Sequence, residues 1–174
     1  MSGPRIRTAT AADAQEIARV HVQAWRESYR SLMPAAMLAS LSVERSARMW
    51  TKILAGEAIV QVVATPAGIV GLGSAGAARD ALLGTTGEIT AIYLLDSVKR
   101  RGIGRALFTS LMRALARAGH ASAGLWVLVD NHGTRRFYEA LGGRPGATRV
   151  IARDDADLHE IAYMWNDLSR FAAD

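Results

Sequence analysis

Apolar positions Ile17, Val20, Ala24 and Trp25 recur at helical spacing, and Thr10 with Asp13 ahead of them forms a capping-box-like pair, so an amphipathic helix is expected from about Ala11. After Pro34 a short helical piece is expected around Met37 and Leu41. Ser42 then caps a further helix carrying Met49, Trp50, Ile53 and Leu54 on one side, with Gly56 as its end. From Ala58 the pattern changes to β-branched runs, AIVQVVAT and IVGLGSAG, joined by Pro66 to Gly68, which reads as an antiparallel hairpin. Gly84 to Gly87 break the chain before a strand from Glu88 to Leu95, and a helix is expected at once after it. That helix carries Ile103, Ala106, Leu107, Ser110, Leu111, Ala114, Leu115 and Ala118 on its apolar face and stops at Gly119. The run from Gly124 to Val129 predicts a buried strand, and Thr134, Phe137, Tyr138 and Leu141 mark one face of a shorter helix stopped by Gly142 and Gly143. Strands near Thr148 to Ile151 and from Glu160 to Trp165 close the pattern around a polar loop, ARDDADLH.

Two helices, a hairpin, a strand-helix-strand-helix stretch and two closing strands make an α/β fold, a mixed sheet with helices on its faces. A chain of 174 residues holds one core of ordinary size, so residues 1–174 are expected to form a single domain.

Half the residues are apolar and 21% are charged, the balance of a globular protein that packs a core. Cysteine is absent, which excludes disulfides, thiolate metal ligands and a cysteine nucleophile together. The N-terminal segment lacks the apolar run of a leader, and no stretch approaches the roughly 20 apolar residues that span a bilayer, so a cytoplasmic location without a membrane partner is expected. The net charge of +5 favours an anionic partner. Nucleic acid is not expected as that partner, because recognition motifs and aromatic-basic interleaving are missing. His21, His120, His132 and His159 show no metal-ligand spacing, and no metal is expected.

The segment Lys99-Arg100-Arg101-Gly102-Ile103-Gly104-Arg105-Ala106 lies between a strand and the long helix, so backbone N–H groups and the helix N-terminus converge on a point that attracts phosphate. Glycine at 102 and 104 removes Cβ atoms that would hold a diphosphate away, and the arginines add positive charge. Leu107 stands where a Rossmann turn needs a third small residue, and no Gly-Lys-Ser/Thr is present, so dinucleotide and ATP or GTP binding are disfavoured. Coenzyme A remains as the diphosphate ligand.

A second block, Asn131-His132-Gly133-Thr134-Arg135-Arg136-Phe137-Tyr138-Glu139-Ala140-Leu141-Gly142, follows the next strand. Together and in this order the two blocks resemble the GNAT superfamily of N-acetyltransferases, whose pattern is Gln/Arg-x-x-Gly-x-Gly/Ala and later Asn-x-x-x-x-x-Phe-Tyr-Glu-x-x-Gly. The resemblance covers the whole domain and is sharpest from Glu88 to Gly142. Two departures stand out: Lys99 occupies the Gln/Arg position, keeping the charge without the planar fork, and Gly143 replaces an aromatic residue.

The resemblance implies a mostly antiparallel central sheet, splayed in the middle, with helices on both faces. It implies acetyl-CoA as acyl donor, its pantetheine arm pairing with Ile92, Tyr93 and Leu94, its diphosphate meeting Arg100 to Ala106 with Lys99 also cofactor-binding, and Asn131 helping to hold the arm. Tyr138 is then the candidate acid, because thioester aminolysis expels a thiolate that a phenol with a pKa of about 10 can protonate. Glu88 is the candidate base, acting through water, since the attacking amine must lose a proton. A backbone N–H near Leu94 is the candidate oxyanion donor. Trp25, Arg26 and Tyr29 fall where the first helices of similar enzymes wall the acceptor pocket, and Asp154, Asp155 and Asp157 could draw a cationic amine. The acceptor is an unidentified amine, and an exposed sheet edge offers a route to a homodimer. The competing reading is a non-catalytic acyl-CoA sensor.

Overall fold

The computed structural model describes residues 3–153 and 156–172. Its strands are β1 (Arg5–Thr8), β2 (Ile59–Thr65), β3 (Gly68–Ala77), β4 (Gly87–Leu94), β5 (Ala123–Leu128), β6 (Arg144–Arg153) and β7 (Ala156–Trp165). They hydrogen-bond in the order β1-β2-β3-β4-β5-β7-β6. The helices are α1 (Ala14–Ser28), α2 (Ala35–Ala39), α3 (Val43–Leu54), α4 (Ile103–Arg117), α5 (His132–Ala140) and α6 (Ser169–Ala172). The β1/β2, β2/β3, β5/β7 and β6/β7 pairings are antiparallel, whereas β4 pairs with β5 in parallel at Gly87↔Ala123 and Glu88↔Gly124. The mixed, mostly antiparallel sheet expected from the sequence is present. None of the described helices is long and apolar enough to cross a membrane.

The chain forms two compact units, one comprising residues up to Ala75 together with Ala91–Leu111, the other comprising Gly76–Thr90 and the residues from Met112 on. In the first, Ile17, Ala18 and Val20 of α1, Ala47 and Trp50 of α3, and Val60, Val62 and Leu72 of the hairpin make one buried cluster. Trp50 is 2% exposed, and truncating so large a side chain to alanine costs about 3–5 kcal/mol. The capping box is present: Asp13 Oδ2 accepts from Thr10 N at 2.7 Å, although a 3-10 turn over Ala11–Asp13 precedes the α-helix proper. Ser42 caps α3 as expected, its hydroxyl accepting from Arg45 N at 3.2 Å. Met49 departs from expectation. It is 41% exposed, because the apolar face of α3 is centred on Ala47 and Trp50.

The helix expected directly after β4 begins later, at Ile103, after a 3-10 turn over Asp96–Val98. In the second unit β6 and β7 are longer than the sequence pattern indicated, so Ala156 to His159 of the expected loop are strand. Asp154 and Asp155 lie outside the described residues, and Asp157 pairs with Ala152 in the hairpin. Strand β1, which the sequence reading missed, adds to β2 through the register Arg5↔Ala64 to Thr8↔Gln61.

Candidate functional site

The turn ahead of α4 owes its shape to two residues in the left-handed region, Arg100 at φ 59° and Gly102 at φ 78°. Glycine takes that conformation without a Cβ penalty, whereas Arg100 is held there against its preference. The first helical hydrogen bond of α4 here is Ala106 N to Gly102 O at 3.0 Å, so the N–H groups of Ile103, Gly104 and Arg105 precede the helical ladder. Arg100, Arg101 and Arg105 are exposed around them. Preorganised donors, a helix N-terminus and mobile guanidinium groups are the elements of an anion site.

Lys99 is placed differently. Its ammonium donates to Asp96 Oδ1 at 2.7 Å and to Ser28 Oγ at 3.0 Å, and so ties the turn to the end of α1. This cation beside Asp96, with Arg30 at 3.6 Å, holds the Asp96 carboxyl below its ordinary range. Ile92 and Tyr93 are half-buried and Leu94 is buried. The Tyr93 ring lies 5.4 Å from His21 and 6.1 Å from Trp25, and Trp25 meets Tyr29 at 5.0 Å. Arg26 donates to the carbonyls of Leu38 and Leu41 and holds the chain leaving α2.

In the second unit Glu88 is 3% exposed. Its Oε1 accepts from Arg79 Nη2 at 2.9 Å, and its Oε2 accepts from Arg79 Nε at 3.1 Å and from Arg79 N at 3.0 Å. The next residue, Asp80, pairs with Arg149 Nη1 at 2.6 Å and accepts from Leu82 N at 2.9 Å. The Leu82 hydrogen bond, followed by Arg149, lowers the Asp80 carboxyl from its ordinary value. Arg149 also pairs with Glu160 at 2.7 Å and lies 4.0 Å over the Trp126 ring.

Asn131 is the N-cap of α5, its Oδ1 accepting from Thr134 N at 3.3 Å. Tyr138, 7% exposed, packs between Tyr163 at 6.2 Å and Trp165 at 6.0 Å. A Cβ on Gly143 would stand 2.7 Å from Trp165 Cζ2, so Trp165 fills the space that an aromatic residue at 143 would need. Tyr163 donates to Glu139 Oε1 at 2.6 Å and accepts from Arg135 Nε at 3.2 Å, and burial is the main cause of its raised pKa.

The structure thus gathers Lys99 to Ala106 with Ile92 to Leu94 in one unit, and Glu88, Asn131 and Tyr138 in the other. Sequence reasoning missed Arg79, Arg149 and Tyr163. Only Tyr163 left a trace, in the alternation of EIAYMW.

A family model described as FR47-like protein matches residues 67–151. The chain is 32% identical over 165 residues to the uncharacterized N-acetyltransferase YuaI of Bacillus subtilis (strain 168), covering 94% of each chain. In three dimensions it is similar to a GCN5-related N-acetyltransferase from Rhodopseudomonas palustris, with a TM-score of 0.76, 17% identity, and 94% of this chain and 96% of that one covered. It is also similar to the PaiA N-acetyltransferase from Thermoplasma acidophilum in complex with coenzyme A, with a TM-score of 0.66, 15% identity, and 92% and 98% covered.

Proposed function

The chain belongs to the GNAT superfamily of N-acetyltransferases and is an acyltransferase, and from that premise we propose that it moves an acetyl group from acetyl-CoA to a primary amine of a small molecule or protein. The observation that carries this reading is the turn from Lys99 to Arg105, where helix-start N–H groups and exposed arginines meet the needs of a diphosphate. The pantetheine arm pairs with Ile92 to Leu94, and Asn131 steadies it.

The amine nitrogen attacks the thioester carbon directly, the C–S bond breaks, and the phenol of Tyr138 protonates the departing thiolate. The proton lost by the amine passes through water to Glu88. Three Arg79 donors engage that carboxylate, and among the described residues one of its roughly four acceptor positions, on Oε1, is left for the water. Residues 1–174 act as one domain in the cytoplasm, without metal or nucleic acid, and a sheet edge serves a homodimer.

The engagement of both Glu88 oxygens by Arg79 is what favours the second reading, a non-catalytic acyl-CoA sensor. Thiol release from acetyl-CoA, measured against a panel of amines, separates the two. Amine-dependent release supports acetyl transfer, whereas stoichiometric acetyl-CoA binding with no release from any amine supports the sensor.

A further inference from the structure

We propose that Arg79 is a positioning residue that keeps Glu88 from trapping the acceptor: its guanidinium cancels the charge of the buried carboxylate, which would otherwise hold the amine as an unreactive ammonium. This rests on the reading of Glu88 as the group that serves the acceptor.

A carboxylate 3% exposed has lost most of its hydration and must be paired. Its partner here is 69% exposed, an asymmetry that puts the guanidinium over the carboxylate as its outer face. Arg79 does not hold that place by its side chain alone. Its backbone N–H donates to Glu88 Oε2, Ala78 N donates to Thr86 O at 3.0 Å, and Asp80 is anchored by Arg149. Arg149 in turn is fixed by Glu160 and by the Trp126 ring. Two opposite charges adjacent in sequence are therefore tied to two different strands, β4 and β6, which fixes the guanidinium where it lies.

An aliphatic amine with a pKa near 10.4 arrives at neutral pH almost wholly as ammonium, which has no lone pair for attack. Against a bare buried carboxylate that ion would bind tightly, and ground-state binding of this kind lowers KM while raising the barrier from the bound state. With Arg79 in place the Glu88 pair is neutral overall and offers a cation no net attraction. Removing Arg79 leaves Asp80, Glu88 and Glu160 against Arg149 alone.

The test is calorimetry with tetramethylammonium, a permanent cation that cannot be acetylated, on the parent, Arg79→Met, Arg79→Gln, Arg79→Lys and the double variant Arg79→Met with Glu88→Gln. Arg79→Met and Arg79→Gln should bind it at least about tenfold more tightly than the parent. The Lys variant and the double variant should return to parental affinity. With a reactive amine, Arg79→Gln should lower KM and kcat together, a split that a merely structural arginine would not produce. Parental tetramethylammonium affinity in folded Arg79→Gln, or tight binding that persists in the double variant, would overturn the proposal. Because the probe needs no turnover, the absence of acetyl transfer to every amine would sink the acetyltransferase reading while the titration still decided the role of Arg79.

Discussion

Around the turn ahead of α4, Arg100, Arg101 and Arg105 stand exposed beside N–H groups at the helix start, whereas Arg79 covers a buried carboxylate and Arg149 is bound on three sides. The first arrangement keeps its charge available to an incoming anion. The second has its charge already matched, and what it controls is position. A third pair shows the pure structural case. Arg7 meets both oxygens of Asp13 at 2.8 Å, six residues away, and Asp13 also closes the capping box of the 3-10 turn that leads into α1. Arginine as a residue type therefore says little, and the burial and partners of each one say which role it has.

The sharpest way to break this division is Tyr138→Phe. Turnover should fall about 100-fold while acetyl-CoA affinity stays within about twofold, measured by steady-state kinetics beside calorimetry. Normal turnover across pH 6 to 10 would remove Tyr138 from the chemistry without touching the fold. Gly102→Val should act on the other side of the division. A β-branched residue at φ 78° is strained, so the CoA dissociation constant should rise about tenfold with saturated turnover changed much less.

The smallest effect should come from Asp13→Asn, which should cost about 1–2 kcal/mol of stability at pH 7 with no kinetic consequence. The side-chain hydrogen bond from Arg7 is the main reason the Asp13 carboxyl is lowered from 3.8 to about 2. A carboxyl depressed on folding adds stability that is fully present above its unfolded value and is lost as the pH falls through the folded one. The gap in urea midpoint between parent and variant should therefore close between about pH 4 and pH 2. A gap independent of pH would mean that the pairing contributes little.

Elements whose identity rests on local pattern were legible in the sequence. The 3.6-residue stripes of α1, α4 and α5, and the hairpin of β2 and β3, needed only apolar spacing and turn residues. Strand β1 was not legible, because four residues reading Arg-Ile-Arg-Thr carry too short an alternation and gain their strand state by pairing with β2. The anion turn was readable because glycines and arginines are adjacent in sequence. The Arg79–Glu88 pair and the Tyr163–Glu139 contact were not, since sheet register and helix packing bring those partners together. The family resemblance implies a cofactor contact for Asn131, and its capping of α5 adds a local reason for an asparagine there.

Titration of the folded protein with CoA at low ionic strength decides whether the turn from Lys99 to Ala106 grips a diphosphate. If it does, heat with one-to-one stoichiometry and an affinity that weakens as salt is raised are expected. A flat titration with both CoA and acetyl-CoA would contradict it.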